Sequence, residues 1–254
     1  MSKLYVISTG RNPSFLVQAC VESVQTQTLQ PDLHILIDDM SDNDTIDYLS
    51  TIMSSKYSNL VITQNHTRKY RLRNIYESSI DKDPDDIICI VDSDDSLATS
   101  TALETVSTAY ANNPQYEYVY TNYVTEHGEP GGCQPIPDSS WNPYEGSWIT
   151  SHMCTFKVKA IQGISIKNFL DVNGNWFQIG TDQAFSLPIL YRLWKRDNNY
   201  SSVGFINKPL YKYTWDLPSR PRRGEEEADK LAADSVRNSI LVKQRRYIKD
   251  ENSA

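Results

Sequence analysis

The feature that most constrains this chain is the rhythm of its first half. Short apolar runs at Leu4–Ile7, Leu33–Ile37, Leu60–Ile62 and Ile87–Val91 alternate with stretches of helical period. Such runs suit strands buried on both faces, as in a parallel sheet. Between them, Val17, Cys20, Val21 and Val24 recur at i, i+3, i+4 and i+7, and Leu72, Ile75, Tyr76 and Ser79 do the same. Pro13 stands where a helix can start, and Thr101 with Glu104 has capping-box spacing ahead of Val106 and Tyr110. Strand and helix in alternation predict an α/β domain with right-handed crossovers.

After residue 114 the rhythm changes. Tyr116–Tyr123 reads as a strand, and residues 126–147, with many Gly, Pro, Ser and Trp, read as a long loop. Ile179–Trp194 reads as the approach to a helix and then the helix. Ser202–Ile206 and Leu210–Thr214 predict a hairpin around Asn207-Lys208, followed by a basic loop at 217–224. From Glu225 to about Ile248 the pattern is one charged helix. Its partial apolar stripe (Leu231, Val236, Ile240, Val242) suits packing on the domain or on another subunit, so a homo-oligomer through this helix is open.

Composition excludes several classes. With 39% hydrophobic and 22% charged residues in 254, the chain can bury a sizeable core. A net charge of −7 argues against a general nucleic-acid binder. No apolar run approaches the roughly 20 residues needed to span a bilayer, and MSKLYVIS lacks the apolar core of a signal peptide. Four widely spaced cysteines without a C-x-x-C read as reduced thiols, so the expected location is the cytoplasm. Peripheral attachment to a membrane, through a partner or the tail's Lys243, Arg245, Arg246 and Lys249, stays open.

The sharpest chemical feature is Ile90-Val91-Asp92-Ser93-Asp94-Asp95. Three carboxylates follow directly on an apolar strand, at the strand end where α/β sheets bind ligands. Crowding them costs repulsion. A hard cation such as Mg²⁺ or Mn²⁺, held by one or two carboxylates plus phosphate oxygens, removes that cost; a solvated acidic turn is the alternative. Asp38-Asp39 ends the second strand in the same way. A carboxylate there can accept a hydrogen bond from a ribose or a base, or cap the next helix. Phosphoacceptor receiver domains also carry acidic pairs at strand ends, so these pairs alone do not decide function.

Read together and in order, S-V-Q-T-Q-T (23–28), I-D-D-M-S-D-N-D (37–44), L-R-N (72–74) and D-S-D-D (92–95) resemble glycosyltransferase family 2. The resemblance is strong over residues 4 to about 122 and looser to about 220. It implies a GT-A fold, a Rossmann-like and mostly parallel sheet flanked by helices. It also implies a nucleotide-binding half at 1–122, an acceptor and sugar half at 123–224, and a C-terminal helix at 225–254. Its donors are nucleotide-diphosphate sugars, here expected to be a UDP-sugar, and the acceptor a carbohydrate or glycoconjugate.

Roles follow position by position from the resemblance. Thr9 falls in the turn lining the base pocket, Asp39 matches the aspartate that contacts uracil, and Arg71 or Arg73 lies near the base or diphosphate. Asp92 is placed near the ribose with Ser93 beside it, and Asp94 or Asp95 holds Mn²⁺ or Mg²⁺. Where the family pattern has a Tyr over the base this chain has Arg11, and where it has Gly after D-D it has Met40. Asp182, in Gly180-Thr181-Asp182-Gln183, resembles the family's general base, as an inverting transfer requires.

Ser151-His152-Met153-Cys154-Thr155-Phe156-Lys157 resembles a stretch lining the sugar pocket, with His152 toward sugar, diphosphate or metal. Trp141, Tyr144, Trp148 and Trp176 are candidate sugar-stacking surfaces or packing residues. Ser219, Arg220 and Arg222 lie where relatives carry a loop that closes over the diphosphate. The expected activity is thus a metal-dependent inverting hexosyltransferase. The alternative is a catalytically silent sugar-nucleotide-binding or scaffold protein of the same fold.

Overall fold

A computed structural model describes residues 2–53 and 57–214. The first half of the sheet is parallel. β1 (Leu4–Gly10) lies between β2 (Leu33–Asp38) and β4 (Ile87–Ile90), and β2 pairs outward with β3 (Leu60–Gln64), all in parallel. β1 and β4 are buried along nearly their whole length, as the apolar runs require, whereas the edge strand β3 is largely exposed.

Beyond β4 the sheet becomes mixed. β7 (Cys154–Lys157) is inserted antiparallel between β4 and β6 (Tyr118–Thr125). β8 (Val203–Tyr213) runs parallel to β6, and its end pairs antiparallel with the two-residue β5 (Ser96–Leu97). The order across the sheet is β3-β2-β1-β4-β7-β6-β8-β5.

Side chains alternate between the two faces. On one face Ile7, Ile88, Ile90, Phe156, Tyr118 and Tyr120 share a core with Leu72 and Ile75 of α3 (Tyr70–Ser79) and Phe185, Ile189 and Leu193 of α6 (Thr181–Asp197). On the other, Val6, Cys89, Val91 and Val119 meet Cys20 and Val24 of α1 (Leu16–Gln25) and Leu103 and Val106 of α4 (Ala102–Asn112). α2 (Asn43–Met53) packs its Leu49 and Ile52 on Val17 and Val21 of α1. A short α5 (Lys159–Gln162) and a 3₁₀ turn at Ile166–Phe169 complete the α6 side.

Two local expectations are corrected. The hairpin at 202–214 is instead the single strand β8. Thr121 pairs with Ile206 but Asn122 with Pro209, so Asn207 and Lys208 bulge out of register. Asn207-Lys208-Pro209 carries turn chemistry, and Pro209 has no N–H to donate, so a bulge takes the place of a turn. The capping box also does not form: Thr101 precedes α4 without a side-chain cap, and Glu104 accepts from Thr28 Oγ1 at 2.9 Å. Among the described residues no helix is long and apolar enough to cross a membrane. All four cysteines are buried free thiols. Ser219, Arg220, Arg222 and the 225–254 helix lie outside the described residues.

Candidate active site

The loops after β1, β2 and β4 meet at one edge of the sheet. Asp39 N–H donates to Gly10 O at 2.9 Å, Asn65 N–H to Asp38 O at 2.9 Å, and Ser93 N–H to Thr9 O at 3.3 Å, which ties the ends of β1, β2, β3 and β4 together. Four non-glycine residues with positive φ surround this edge: Asn12, Ser14, Met40 and Tyr70. Each costs about 1–2 kcal/mol, and such strain gathers at functional sites. Met40, at φ 66, stands where the family pattern has Gly, so the left-handed turn is kept without the residue that makes it cheap.

Asp39 is buried and heavily used. Its Oδ1 accepts from Asn65 Nδ2 and Lys69 N–H, and its Oδ2 from Tyr70 N–H, all at 2.8 Å. Burial alone pushes its carboxyl up, but these backbone and amide donors outweigh it and hold the group below the usual carboxylate range. The carboxylate thus receives the first N–H of α3. Asn74 donates to Thr9 Oγ1 at 3.0 Å and accepts from Asn65 Nδ2 at 2.9 Å, so Thr9, Asn74, Asn65 and Asp39 form one hydrogen-bonded chain, buried except at Asn65.

The R-N pair of α3 separates cleanly. Arg73 is on the outer face, paired with Glu77 at 2.6 Å and 42% exposed in its side chain. Arg71 turns inward. Its Nε donates to Asp92 Oδ1 at 2.6 Å and its Nη1 reaches Asp182 Oδ1 at 2.7 Å. Burial works against its charge, yet Asp182 and Asp92 more than offset this and raise its pKa further. Three residues, from the L-R-N helix, the D-S-D-D turn and the T-D-Q segment, therefore converge on one point.

Asp182 arrives there because Gly180, at φ 66, makes the left-handed turn that starts α6 and leaves Asp182 in its first turn. His152 stands 3.9 Å from Asp182 Oδ2. Its ring stacks on Tyr211 at 4.9 Å and on Tyr213 at 5.1 Å. Arg71, Asp182, His152, Thr150 and Ser186 enclose a space of about 10 Å³, room for about one water.

The acidic turn divides its labour. Asp95 is buried, with Oδ2 accepting from Tyr211 Oη at 2.6 Å and Oδ1 from Thr214 N–H at 2.7 Å. Burial, then the charges of Asp94 and Asp92, push its carboxyl up to about 8. Both of its oxygens are thus tied to the end of β8. Asp94 and Asp95 both line an open cavity of about 280 Å³ with Leu16, Ala19, Glu126, His127 and Lys212. Ser93 Oγ is buried without a hydrogen-bond partner. Gly10 faces it so closely that a Cβ there would lie 2.0 Å from that oxygen.

Arg11 is exposed, its Nε donating to Met40 O at 3.0 Å. Among the aromatic candidates, Tyr144 is core and packs edge-on against Tyr191, and Trp176 packs on Tyr76. The sequence reading missed Tyr211, whose hydroxyl bridges Asp95 and Asp92 N–H. Nothing in its local pattern distinguishes it from an ordinary strand tyrosine.

Among the described residues no three His, Cys, Asp or Glu side chains form a metal cage. The donor set suits a hard cation held by few protein ligands. Three carboxylates lie within four residues, and Asp94 opens on solvent-filled space, as Mg²⁺ or Mn²⁺ sites completed by phosphate oxygens do.

No protein-family model matches the chain, and no curated protein matches it. Solved structures do. Glucosyl-3-phosphoglycerate synthase from Mycobacterium tuberculosis, in complex with Mn²⁺, UDP and glucosyl-3-phosphoglycerate, matches with a TM-score of 0.60 at 14% identity, over 95% of this chain and 80% of that one. S. aureus TarS 1-349 in complex with UDP-GlcNAc matches with 0.56 at 14% identity, over 90% and 64%. The mannosyltransferase PcManGT from Pyrobaculum calidifontis, in complex with GDP-Man and Mn²⁺, matches with 0.55 at 13% identity, over 93% and 62%. The chain spans 43% of the longer TarS structure. The fold of the described residues is thus the GT-A fold of these glycosyltransferases.

Proposed function

We propose that this chain is an inverting glycosyltransferase of family 2 type. It would move a hexosyl group from a nucleotide-diphosphate sugar, a UDP-sugar by our reading, to a hydroxyl of a carbohydrate or glycoconjugate. The observation that carries this is the joining of Asp92 and Asp182 through Arg71 at the carboxyl edge of a GT-A sheet. Neighbours of the same fold hold UDP with Mn²⁺ or GDP-Man with Mn²⁺.

In this reading the acceptor oxygen attacks the anomeric carbon as the bond to the diphosphate oxygen breaks. The acceptor proton passes to Asp182, and the electron pair leaves with the nucleoside diphosphate. Asp182 is 38% exposed, so an acceptor hydroxyl can approach it. Arg71 fixes its orientation and supplies positive charge beside the leaving group. Asp92, with Ser93 beside it, would receive the ribose, Thr9, Arg11 and Asp39 would lie around the base, and His152 would face the sugar. Arg73, on the outer face, takes no part. Asp94 would hold Mn²⁺ or Mg²⁺, which when bound neutralises charge developing on the diphosphate. Asp182→Asn tests the base: donor binding stays within about twofold and transfer falls at least about 10²-fold. Near wild-type turnover would discard the role.

A further inference from the structure

A second sizeable cavity among the described residues lies outside the reaction centre. It is an open cleft of about 430 Å³, between β6, the start of β8, the 135–139 loop and the turn after α6. Its volume falls in the usual range for small-molecule sites. The partly exposed rings of Phe205 and Tyr200 form two of its walls, each backed by a second ring. Tyr120 stacks on Phe205 at 4.8 Å with planes 26° apart, and Tyr200 stacks on Trp194 with planes 7° apart.

The cleft is held open by its own hydrogen bonds. Trp194 Nε1 donates to Ser139 O at 2.7 Å, Tyr200 Oη to Trp141 O, and Tyr120 Oη to Gln134 O at 2.7 Å. The 134–141 loop is thus tied to the end of α6 and to the sheet in three places. On the rim, Asp138 accepts from Ser140 N–H and Oγ, both through Oδ1, which fixes an exposed carboxylate at the cleft.

The lining chemistry selects the ligand class. Among the described residues no Lys, Arg or His lines the cleft, and Asp138 is the one charged residue there. A nucleoside diphosphate or any other anion would meet no countercharge from these residues. Flat aromatic walls with a carboxylate, an amide and hydroxyls at the rim fit a neutral pyranose. Its C–H face packs on a ring and its hydroxyls donate to the rim.

We infer that this cleft is a binding subsite for a neutral glycan chain, separate from the reaction centre. Its far wall, Asn199 and Tyr200, follows the C-terminus of α6, whose 17 residues start beside Asp182. That wall is therefore about 25 Å along the helix from Asp182. A glycan must be several sugars long to touch both places. Naming that glycan as an acceptor rests on the transferase reading; the binding itself does not.

The test uses cellohexaose, maltohexaose and chitohexaose with the full chain, followed by tryptophan emission and saturation-transfer NMR. At least one should bind without nucleotide or metal. Ser201→Trp, which fills the mouth of the cleft, and Phe205→Ala should each weaken that binding at least tenfold, with thermal melts of the wild-type shape. Glycan binding in a chain that ignores UDP and Mn²⁺ would keep the subsite and remove the transferase reading. No binding of any of the three, or full binding in a folded Ser201→Trp, would overturn the subsite.

Discussion

Replacing Arg71 by Met removes the cation that joins Asp92 to Asp182 while keeping much of the side-chain volume. Two charge-assisted hydrogen bonds are lost, at 2.6 and 2.7 Å. Asp92 is 14% exposed and cannot be resolvated fully, whereas Asp182 at 38% recovers water readily. Breaking a fully buried pair costs about 3–5 kcal/mol. With one partner half open, we expect about 3 kcal/mol. For a chain of this size that lowers the melting temperature by about 6–12 °C. Double-mutant cycles in urea should then divide the loss: coupling to Asp92 of about 2 kcal/mol, and to Asp182 of about 1 kcal/mol. A variant within about 0.5 kcal/mol of wild type, or equal couplings, would refute the reasoning from burial.

Two other perturbations test the interior. His34 is fully buried, bonded to Ser8 Oγ at 2.9 Å, and desolvation pushes its pKa down to about 3. The unfolded chain therefore binds the extra proton first, so stability present above about pH 6.5 falls as pH drops toward 3, by several kcal/mol in all. Denaturant melts at pH 7, 5.5 and 4.5 should show that slope, and His34→Gln should flatten it. Gly10→Ala drives a Cβ to 2.0 Å from the buried Ser93 Oγ. It should cost about 1–3 kcal/mol, and adding Ser93→Ala should restore part of it, as read by thermal melts.

The frame of the site was legible because its strands are buried on both faces and so carry unbroken apolar runs. Leu4–Gly10, Leu33–Asp38 and Ile87–Ile90 all appear where those runs predict them. The stripe of Val17, Cys20, Val21 and Val24 is buried as a unit in α1. Beyond residue 122 local chemistry misleads. Asn207-Lys208-Pro209 looks like a turn, but pairing across eleven residues of β8 absorbs it as a bulge. Glu104 satisfies a distant threonine instead of its own helix end.

The site shows the same division. Asp92, Arg71 and Asp182 were marked by their motifs, and the fold brings them together. Which arginine of R-L-R-N turns inward depends on helix phase against β4, which no motif states. The run D-S-D-D likewise does not reveal that Tyr211, 116 residues later, will donate to Asp95.

The most direct measurement is calorimetry of UDP, GDP, CDP and ADP with and without Mn²⁺. Our account predicts that UDP binds, that Mn²⁺ strengthens it, and that Asp94→Asn loses at least tenfold of the Mn²⁺-dependent affinity, about 1.4 kcal/mol. Binding of none of the four, or UDP binding indifferent both to Mn²⁺ and to Asp94→Asn, would contradict it.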